Sequence, residues 1–259
     1  MKTLSFAFAV TLIFSSTAAS VHADEYSDAV MAYAKGDYTT ALQQYTLASD
    51  QGSAKAQYNL ARMYRQGLGT KVNAEEAFVW MLKSAQQGYV LAQDQLGNMY
   101  ARGEGRPTDG NEAYNWFYKA AEQGYAKAQY KLGFMYADGL VVEQNYQQAF
   151  NWFKKSAERG FSEAMYSLAV AYANGQGTDV NSQKAVQWYI VAAEKNIPNA
   201  QYDLAVMYNE GRGTSKDLIK AYHWATAASK NDVSEGEILK KKISKKMSTD
   251  QLKEAQNNL

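Results

Sequence analysis

Apolar positions recur along the chain at helical spacing, and glycines separate the stretches that carry them. In the first such stretch, Ala56, Leu60 and Tyr64 fall at i, i+4 and i+8, which places them on one face of a helix. Gly67 follows, and glycine readily adopts the left-handed conformation that ends a helix. A second helical face begins after Asn73. The pattern therefore predicts a pair of helices joined by a glycine-containing turn.

This helix pair repeats with an unbroken period of 36 residues. The tryptophans mark the period, at Trp80, Trp116, Trp152, Trp188 and Trp224. A leucine column keeps the same register, at Leu60, Leu96, Leu132, Leu168 and Leu204. Such columns predict five tandem units, near residues 56–91, 92–127, 128–163, 164–199 and 200–235. Because a single helix pair cannot bury its apolar face, we expect each unit to stack on the next, with the tryptophans packed between helices.

The ends of the predicted second helices carry their own signals. Each begins at an Asx residue, whose side chain can accept a hydrogen bond from a free backbone N–H: Asn73, Asp109, Asn145, Asn181 and Asp217. Glu76 follows Asn73 at the spacing of a capping box, as do its equivalents in the next two units. The second helix ends at glycine in three units and at Asn196 and Asp232 in the others, so we expect a left-handed residue there.

The unit pattern Ala56-x-x-x-Leu60-Ala61-x-x-Tyr64-x-x-Gly67-x-Gly69, continued by Ala77-x-x-Trp80, resembles the Sel-like repeat, a branch of the tetratricopeptide superfamily. The third unit departs from it, with Val141 in place of the second turn glycine. The resemblance implies an all-α fold, a right-handed α/α solenoid that acts as a non-catalytic protein-interaction scaffold. Residues 26–51 would form a tetratricopeptide-like N-terminal pair, and residues 236–259 would form C-terminal capping helices.

The amino-acid composition excludes several classes of function. The 27 Lys and Arg residues balance 26 Asp and Glu residues, so no dense positive surface is expected for nucleic acid. With no cysteine and two histidines, the sequence predicts no cofactor, no metal site and no thiol chemistry. The resemblance to the Sel-like repeat implies a protein or peptide partner, and it implies no catalytic residues because the repeat motif contains none.

The N-terminal segment has the pattern of a cleavable signal peptide. Lys2 precedes an apolar run from Leu4 to Phe14, and Val21 and Ala23 supply small residues at a cleavage site. That run is well short of the roughly 20 residues that a spanning helix needs. The sequence thus predicts cleavage after Ala23, a single solenoid domain over residues 24–259, no membrane insertion, and a periplasmic or secreted protein.

A candidate binding face follows from helical geometry. If Leu60 faces the core, positions 58, 62 and 65 point to the opposite side. In the family that the repeat resembles, first helices line the concave surface, which implies a groove there. The predicted partner-binding residues, hereafter the predicted face, are Tyr58, Arg62, Arg65, Asn98, Tyr130, Phe134, Tyr166, Val170, Tyr202 and Val206. Alternatively, the tyrosines of this set pack on the neighbouring unit.

Two other functions stay open. A hydrolase of cell-wall material or β-lactams would have to use Asp138, Glu210 or His223. The other is a structural spacer within an envelope complex or a secreted factor that contacts a host. The spacer would place its contacts on the second helices, near Lys83, Lys119 and Lys155.

Overall fold

A computed structural model describes residues 25–257, and these residues form helices joined by short turns. The helices are α1 (25–34), α2 (Tyr38–Asp50), α3 (Ala54–Gln66), α4 (Ala74–Gln86), α5 (Val90–Arg102), α6 (Gly110–Glu122), α7 (Ala126–Asp138), α8 (Tyr146–Glu158), α9 (Ser162–Asn174), α10 (Ser182–Glu194), α11 (Pro198–Glu210), α12 (Leu218–Lys230), α13 (Ser234–Ser244) and α14 (Thr249–Asn257). The predicted signal peptide and its cleavage point lie outside the described residues.

The helices alternate as the 36-residue period predicts. First helices are α3, α5, α7, α9 and α11, second helices are α4, α6, α8, α10 and α12, and each has 13 residues. The chain divides into two compact units, an N-terminal unit up to residue 123 and a C-terminal unit from residue 124. Within each unit a second helix packs on its own first helix and on the next one, so the all-α solenoid prediction is confirmed.

The predicted caps form in all five repeats. The Asn73 side chain accepts a hydrogen bond of 3.0 Å from the Glu76 N–H, and the other four Asx residues do the same. The predicted capping box is wrong in its reciprocal bond, in which the Glu76 side chain would accept from the Asn73 N–H. The Asn73 N–H donates instead to the Tyr64 carbonyl at 2.9 Å. The same bond recurs in every repeat and ties the start of the second helix to the first.

The left-handed residues that follow the second helices are also confirmed. Asn196 and Asp232 have φ values of 60° and 63°, beside glycines in the other three repeats. The two non-glycine residues therefore accept a backbone conformation that side chains disfavour, in order to keep the turn.

Small residues on the first helices let aromatic rings approach closely. A Cβ on Gly97 would lie 2.6 Å from the Phe117 ring, and one on Gly133 would lie 2.5 Å from the Phe153 ring. In the second and third repeats, a glycine under a phenyl ring thus allows the first and second helices to pack closely. In the fourth repeat the equivalent residues are Ala169 and Tyr189.

The tryptophan column packs unevenly. Trp116 and Trp152 are each 6% exposed, while Trp80, Trp188 and Trp224 are half-buried. In the first three repeats a lysine one turn later stands over the indole, and the Lys119 nitrogen lies 3.8 Å from the Trp116 ring centre. The packing role is therefore confirmed fully for the two buried rings and partly for the others.

A buried glutamine joins successive repeats, and the sequence pattern did not reveal it. Gln93 Nε2 donates to the Ala85 carbonyl at 3.2 Å, and Gln93 Oε1 accepts from Gln123 Nε2 at 2.7 Å. Gln57 and Gln201 make equivalent bonds. Each of these side chains satisfies a carbonyl of the preceding second helix, so it acts as a polar link inside the core.

The C-terminal helices close the last repeat. α13 packs on α12, and its basic residues turn to nearby oxygens: Lys240 and Lys241 contact Glu237 at 2.6 and 3.5 Å. Lys246 donates to Asn209 at 3.0 Å. These contacts fit the capping role that the resemblance implies. Over residues 25–257, the helices are too short and too polar for any of them to cross a membrane.

Candidate binding site

The N-terminal part of the predicted face is engaged in contacts within its own unit. Tyr58 packs edge-on against Tyr89, with ring centres 5.3 Å apart. The Arg62 guanidinium lies 5.8 Å from the Tyr58 ring centre and donates to Asn59 at 3.3 Å. Arg65 donates to Gln95 at 3.2 Å. These cations are therefore held by neighbouring side chains.

Repeat 2 adds a buried carboxylate to this surface. Asp94 occupies the position of Tyr58, and its side chain is fully buried. Asn98, a predicted face residue, donates to Asp94 at 3.4 Å. Asn98 thus serves to satisfy a buried group, which is a structural task.

The C-terminal part of the face is more open. Tyr130 packs between Phe153 and Phe161, with ring centres 5.9 and 5.2 Å apart. One turn later, Phe134 is 57% exposed. Because more than half of this ring is exposed, core packing does not dictate the residue at this position.

Two further predicted residues meet at a cavity. Tyr166 and Val170 of α9 line a cavity of about 260 Å³, together with Asp203 of α11 and Tyr189 of α10. Met207 and Arg212 complete the wall that α11 and the loop after it supply. The remaining predicted residues, Tyr202 and Val206, are half-buried and pack against the core of the unit.

Asp203 is the polar centre of this cavity. The Tyr166 hydroxyl donates to Asp203 Oδ2 at 3.2 Å, and the Tyr189 hydroxyl also hydrogen-bonds to the carboxylate. Burial raises the pKa of Asp203 above its ordinary value of 3.8, against the effect of both hydrogen bonds and of Arg212. Burial and the Asp203 charge raise the pKa of Tyr166 to about 12, so its hydroxyl keeps its proton and acts as donor.

The nearest cation to this carboxylate has another partner. Arg212 lines the cavity and attracts Asp203, but it forms its ion pair with Glu210, whose carboxylate lies 3.5 Å from Arg212 Nε. Both side chains of that pair are about half exposed, so the pair stands at the surface. Asp203 is left as a half-buried carboxylate satisfied by hydroxyl groups.

Asp203 and Tyr189 follow no repeat pattern. The position of Tyr189 holds Met81, Phe117, Phe153 and Ala225 in the other repeats. Asp203 stands where the others have Asn59, Gln95, Lys131 and Ser167. Sequence reasoning missed both residues, because it followed the outward rows alone. The signal available in the sequence was that the columns of Tyr189 and Asp203 change their residue type in two adjacent repeats, the fourth and the fifth.

The residues of the alternative hydrolase do not form a site. Asp138 is exposed at the end of α7, Glu210 pairs with Arg212, and the His223 ring lies edge-on to Trp224 with centres 5.2 Å apart. Among the described residues, no three His, Asp or Glu side chains gather as a metal-binding set.

The Sel1 repeat family model matches residues 54–89, 90–125, 126–161, 162–197 and 198–233. The chain belongs to the Sel1 repeat family. These five consecutive matches each start at the first residue of a first helix, and they confirm the resemblance on which the solenoid expectation rests. The family lies within the tetratricopeptide-like superfamily, and the Sel1 repeat is a scaffold that typically mediates protein–protein interaction.

Solved structures agree with the family. A Sel1 repeat protein from Oxalobacter formigenes is 34% identical, with a TM-score of 0.74, and the match covers 81% of this chain and 83% of that one. A protective antigen of uropathogenic Escherichia coli that displays an SLR fold is 28% identical, with a TM-score of 0.55. That match covers 85% of this Sel1 repeat protein and 55% of the antigen. No curated protein matches the sequence.

Proposed function

We propose that this protein is a non-catalytic adaptor that binds a protein or peptide partner on the first-helix surface of its C-terminal unit. That surface carries Tyr130, Phe134, Tyr166 and Val170. One observation carries the proposal: Phe134 is 57% exposed on a first helix whose other outward neighbours are packed. Phe134 and the neighbouring tyrosines supply the kind of aromatic surface on which protein interfaces draw much of their binding energy.

We further propose that the adaptor works in the bacterial envelope or outside the cell. The support is the signal-peptide pattern of residues 1–23. Fractionation of the native host, followed by N-terminal sequencing, tests it, and an intact Met1 in a cytoplasmic fraction would refute it.

The binding proposal is tested by capture of partners from an envelope extract on immobilised protein. The test variants are Phe134→Asp alone and Phe134→Asp combined with Val170→Asp, each checked for helical content. Because Phe134 is exposed, the single variant should fold normally and retain less partner. The matched control is Val79→Asp with Val191→Asp, which places the same charges on exposed second-helix positions.

The outcomes separate the proposed surface from the alternative spacer. Loss of capture in the Phe134 variants, with retention in the control, supports the first-helix surface. Retention in a folded Phe134→Asp variant refutes it. Loss in the control, with crosslinks at Lys83, Lys119 or Lys155, would assign the contacts to the second helices.

A further inference from the structure

Two cations of the N-terminal unit lie one helical turn apart on α3. Arg62 and Arg65 are both half-buried, so each guanidinium has lost part of its contact with water. Like charges three or four residues apart on a helix repel each other, and this repulsion lowers the stability of the helix. The pair is therefore a cost to the fold unless an anion compensates it.

The repeat architecture does not require these arginines. The later repeats hold asparagine, phenylalanine or valine at the position of Arg62, and alanine or asparagine at the position of Arg65. The same first helix forms in each of those repeats without a cation at either place. Packing therefore does not dictate the two charges, and a ligand can.

The side chains that hold the arginines are neutral. Arg62 donates to the amide oxygen of Asn59 at 3.3 Å, and Arg65 donates to that of Gln95 at 3.2 Å. Neither arginine takes part in an ion pair among residues 25–257. A guanidinium has five N–H donors, and each of these bonds uses one of them. Both positive charges thus remain uncompensated, with donors left for a ligand.

Two tyrosines add neutral donors beside Arg62. The Tyr58 ring centre lies 5.8 Å from the Arg62 guanidinium and 5.3 Å from the Tyr89 ring centre. In the part of the chain that the structure describes, neither tyrosine hydroxyl forms a hydrogen bond. Burial raises the pKa of Tyr89, so its hydroxyl keeps its proton at neutral pH and can donate. An anion at this place would therefore meet guanidinium and hydroxyl donors together.

From these features we propose that Arg62 and Arg65 bind the carboxylates of an acidic segment of another protein. The planar guanidinium matches a carboxylate and can form two parallel hydrogen bonds with it. Arg62 is bonded within its own helix, whereas Arg65 reaches to α5, so the two heads suit two neighbouring acidic side chains better than one phosphate. This inference goes beyond the proposed function, because it assigns a ligand to the N-terminal unit.

A short acidic peptide tests the site without the natural partner. N-acetyl-Glu-Glu-amide is titrated into the ¹⁵N-labelled full chain, with N-acetyl-Gln-Gln-amide as the neutral control of matched shape and inorganic phosphate as the other anion. The Nε–H signals of Arg62 and Arg65 should shift with the acidic peptide, with half-saturation on the order of 1 mM at low salt, and much less with the neutral one.

Variants then separate a site from a general attraction of charge. Arg62→Gln and Arg65→Gln, each checked for helical content, should weaken binding of the acidic peptide about fivefold or more, because charge-assisted bonds are lost. Arg102→Gln removes an equal charge from α5 in the same unit, where the side chain is 73% exposed and pairs with Glu104, and should change binding less than about twofold.

The outcomes decide the assignment. Tighter binding of the acidic peptide than of the neutral one, lost in Arg62→Gln or Arg65→Gln and kept in Arg102→Gln, supports it. Equal binding of the two peptides, equal weakening in all three variants, or a response to phosphate alone overturns it. Because the titration uses neither the captured partner nor a Phe134 variant, its failure would leave the result of the capture test standing, and the reverse also holds.

Discussion

The two units repeat one architecture but use the outward side of their first helices differently. In the N-terminal unit, Arg65 and Asn98 bond to neighbouring side chains, and Asp94 is fully buried. In the C-terminal unit the same rows leave Phe134 exposed and open a cavity at Tyr166. The leucine and tryptophan columns run through both units, so they do not account for this difference. In a repeat protein, the positions that packing leaves free are the positions where binding can be placed.

The comparison presumes that the two units have the same kind of core packing, and truncating a buried tryptophan in each tests this most strongly. Trp116→Ala in the N-terminal unit and Trp152→Ala in the C-terminal unit should each lower the free energy of unfolding by about 3–5 kcal/mol. Both rings are 6% exposed and both lie under a lysine, so the two losses should agree. Urea unfolding followed by circular dichroism measures them.

The controls for the tryptophans are the exposed residues one position earlier, Asn115→Ala and Asn151→Ala. These should change the free energy of unfolding by less than about 0.5 kcal/mol. If one tryptophan variant left the free energy of unfolding nearly unchanged while the other lowered it strongly, the two units would differ in their core packing.

The buried glutamines give the next largest effect. Gln93→Met in the N-terminal unit removes the donor to the Ala85 carbonyl and the acceptor for Gln123, and should cost about 1–3 kcal/mol of unfolding free energy. Gln201→Met in the C-terminal unit should cost a similar amount for the same reason. Urea midpoints at constant slope measure both changes.

Methionine is a fair replacement because the fourth repeat has Met165 at this position, buried in the core. Met165→Leu serves as the control and should cost less than about 1.5 kcal/mol. A neutral Gln93→Met would mean that water satisfies the carbonyl equally well, and that the glutamine link is dispensable.

The parts of the fold that local chemistry decides could be predicted from the sequence. The Asn73 cap and the left-handed Asn196 depend on residues a few positions away, so aligning the repeats was enough to predict both. Gln93 was visible as a column too, but its buried role depends on a carbonyl of the preceding helix. The cavity was harder still, because Asp203 and Tyr189 meet only when two repeats are stacked. Periodicity finds what recurs, and this site occurs at one junction.

A smaller effect is the pH dependence of stability that arises from the Asp203 carboxyl group. Burial raises the pKa of Asp203, so the folded protein holds that proton to a higher pH than the unfolded chain. Wild-type protein should therefore lose stability relative to Asp203→Asn as the pH rises from about 3.8 through the raised pKa. The difference should be smaller than that of the glutamine exchange, and paired urea titrations at several pH values measure it.

The control for this pH dependence is Glu158→Gln, at an exposed position of α8. An opposite slope, with Asp203→Asn losing stability relative to wild type as the pH rises, would mean that Asp203 is stabilised by its ionised form. The carboxylate would then be stabilised by the charge of Arg212.

The smallest expected change in stability is at Phe134, the exposed residue that distinguishes the C-terminal unit from the N-terminal one. Phe134→Asn introduces the residue that stands at the equivalent place in the N-terminal unit, Asn98. Because Phe134 is 57% exposed, the free energy of unfolding should change by less than about 0.5 kcal/mol, while partner capture should fall. Leu140→Asn, at a loop position that is 84% exposed, is the control for removing apolar surface and should retain capture. A marked loss of stability in Phe134→Asn would mean that the ring supports its own unit, and the contrast between the two surfaces would then be one of packing rather than of recognition.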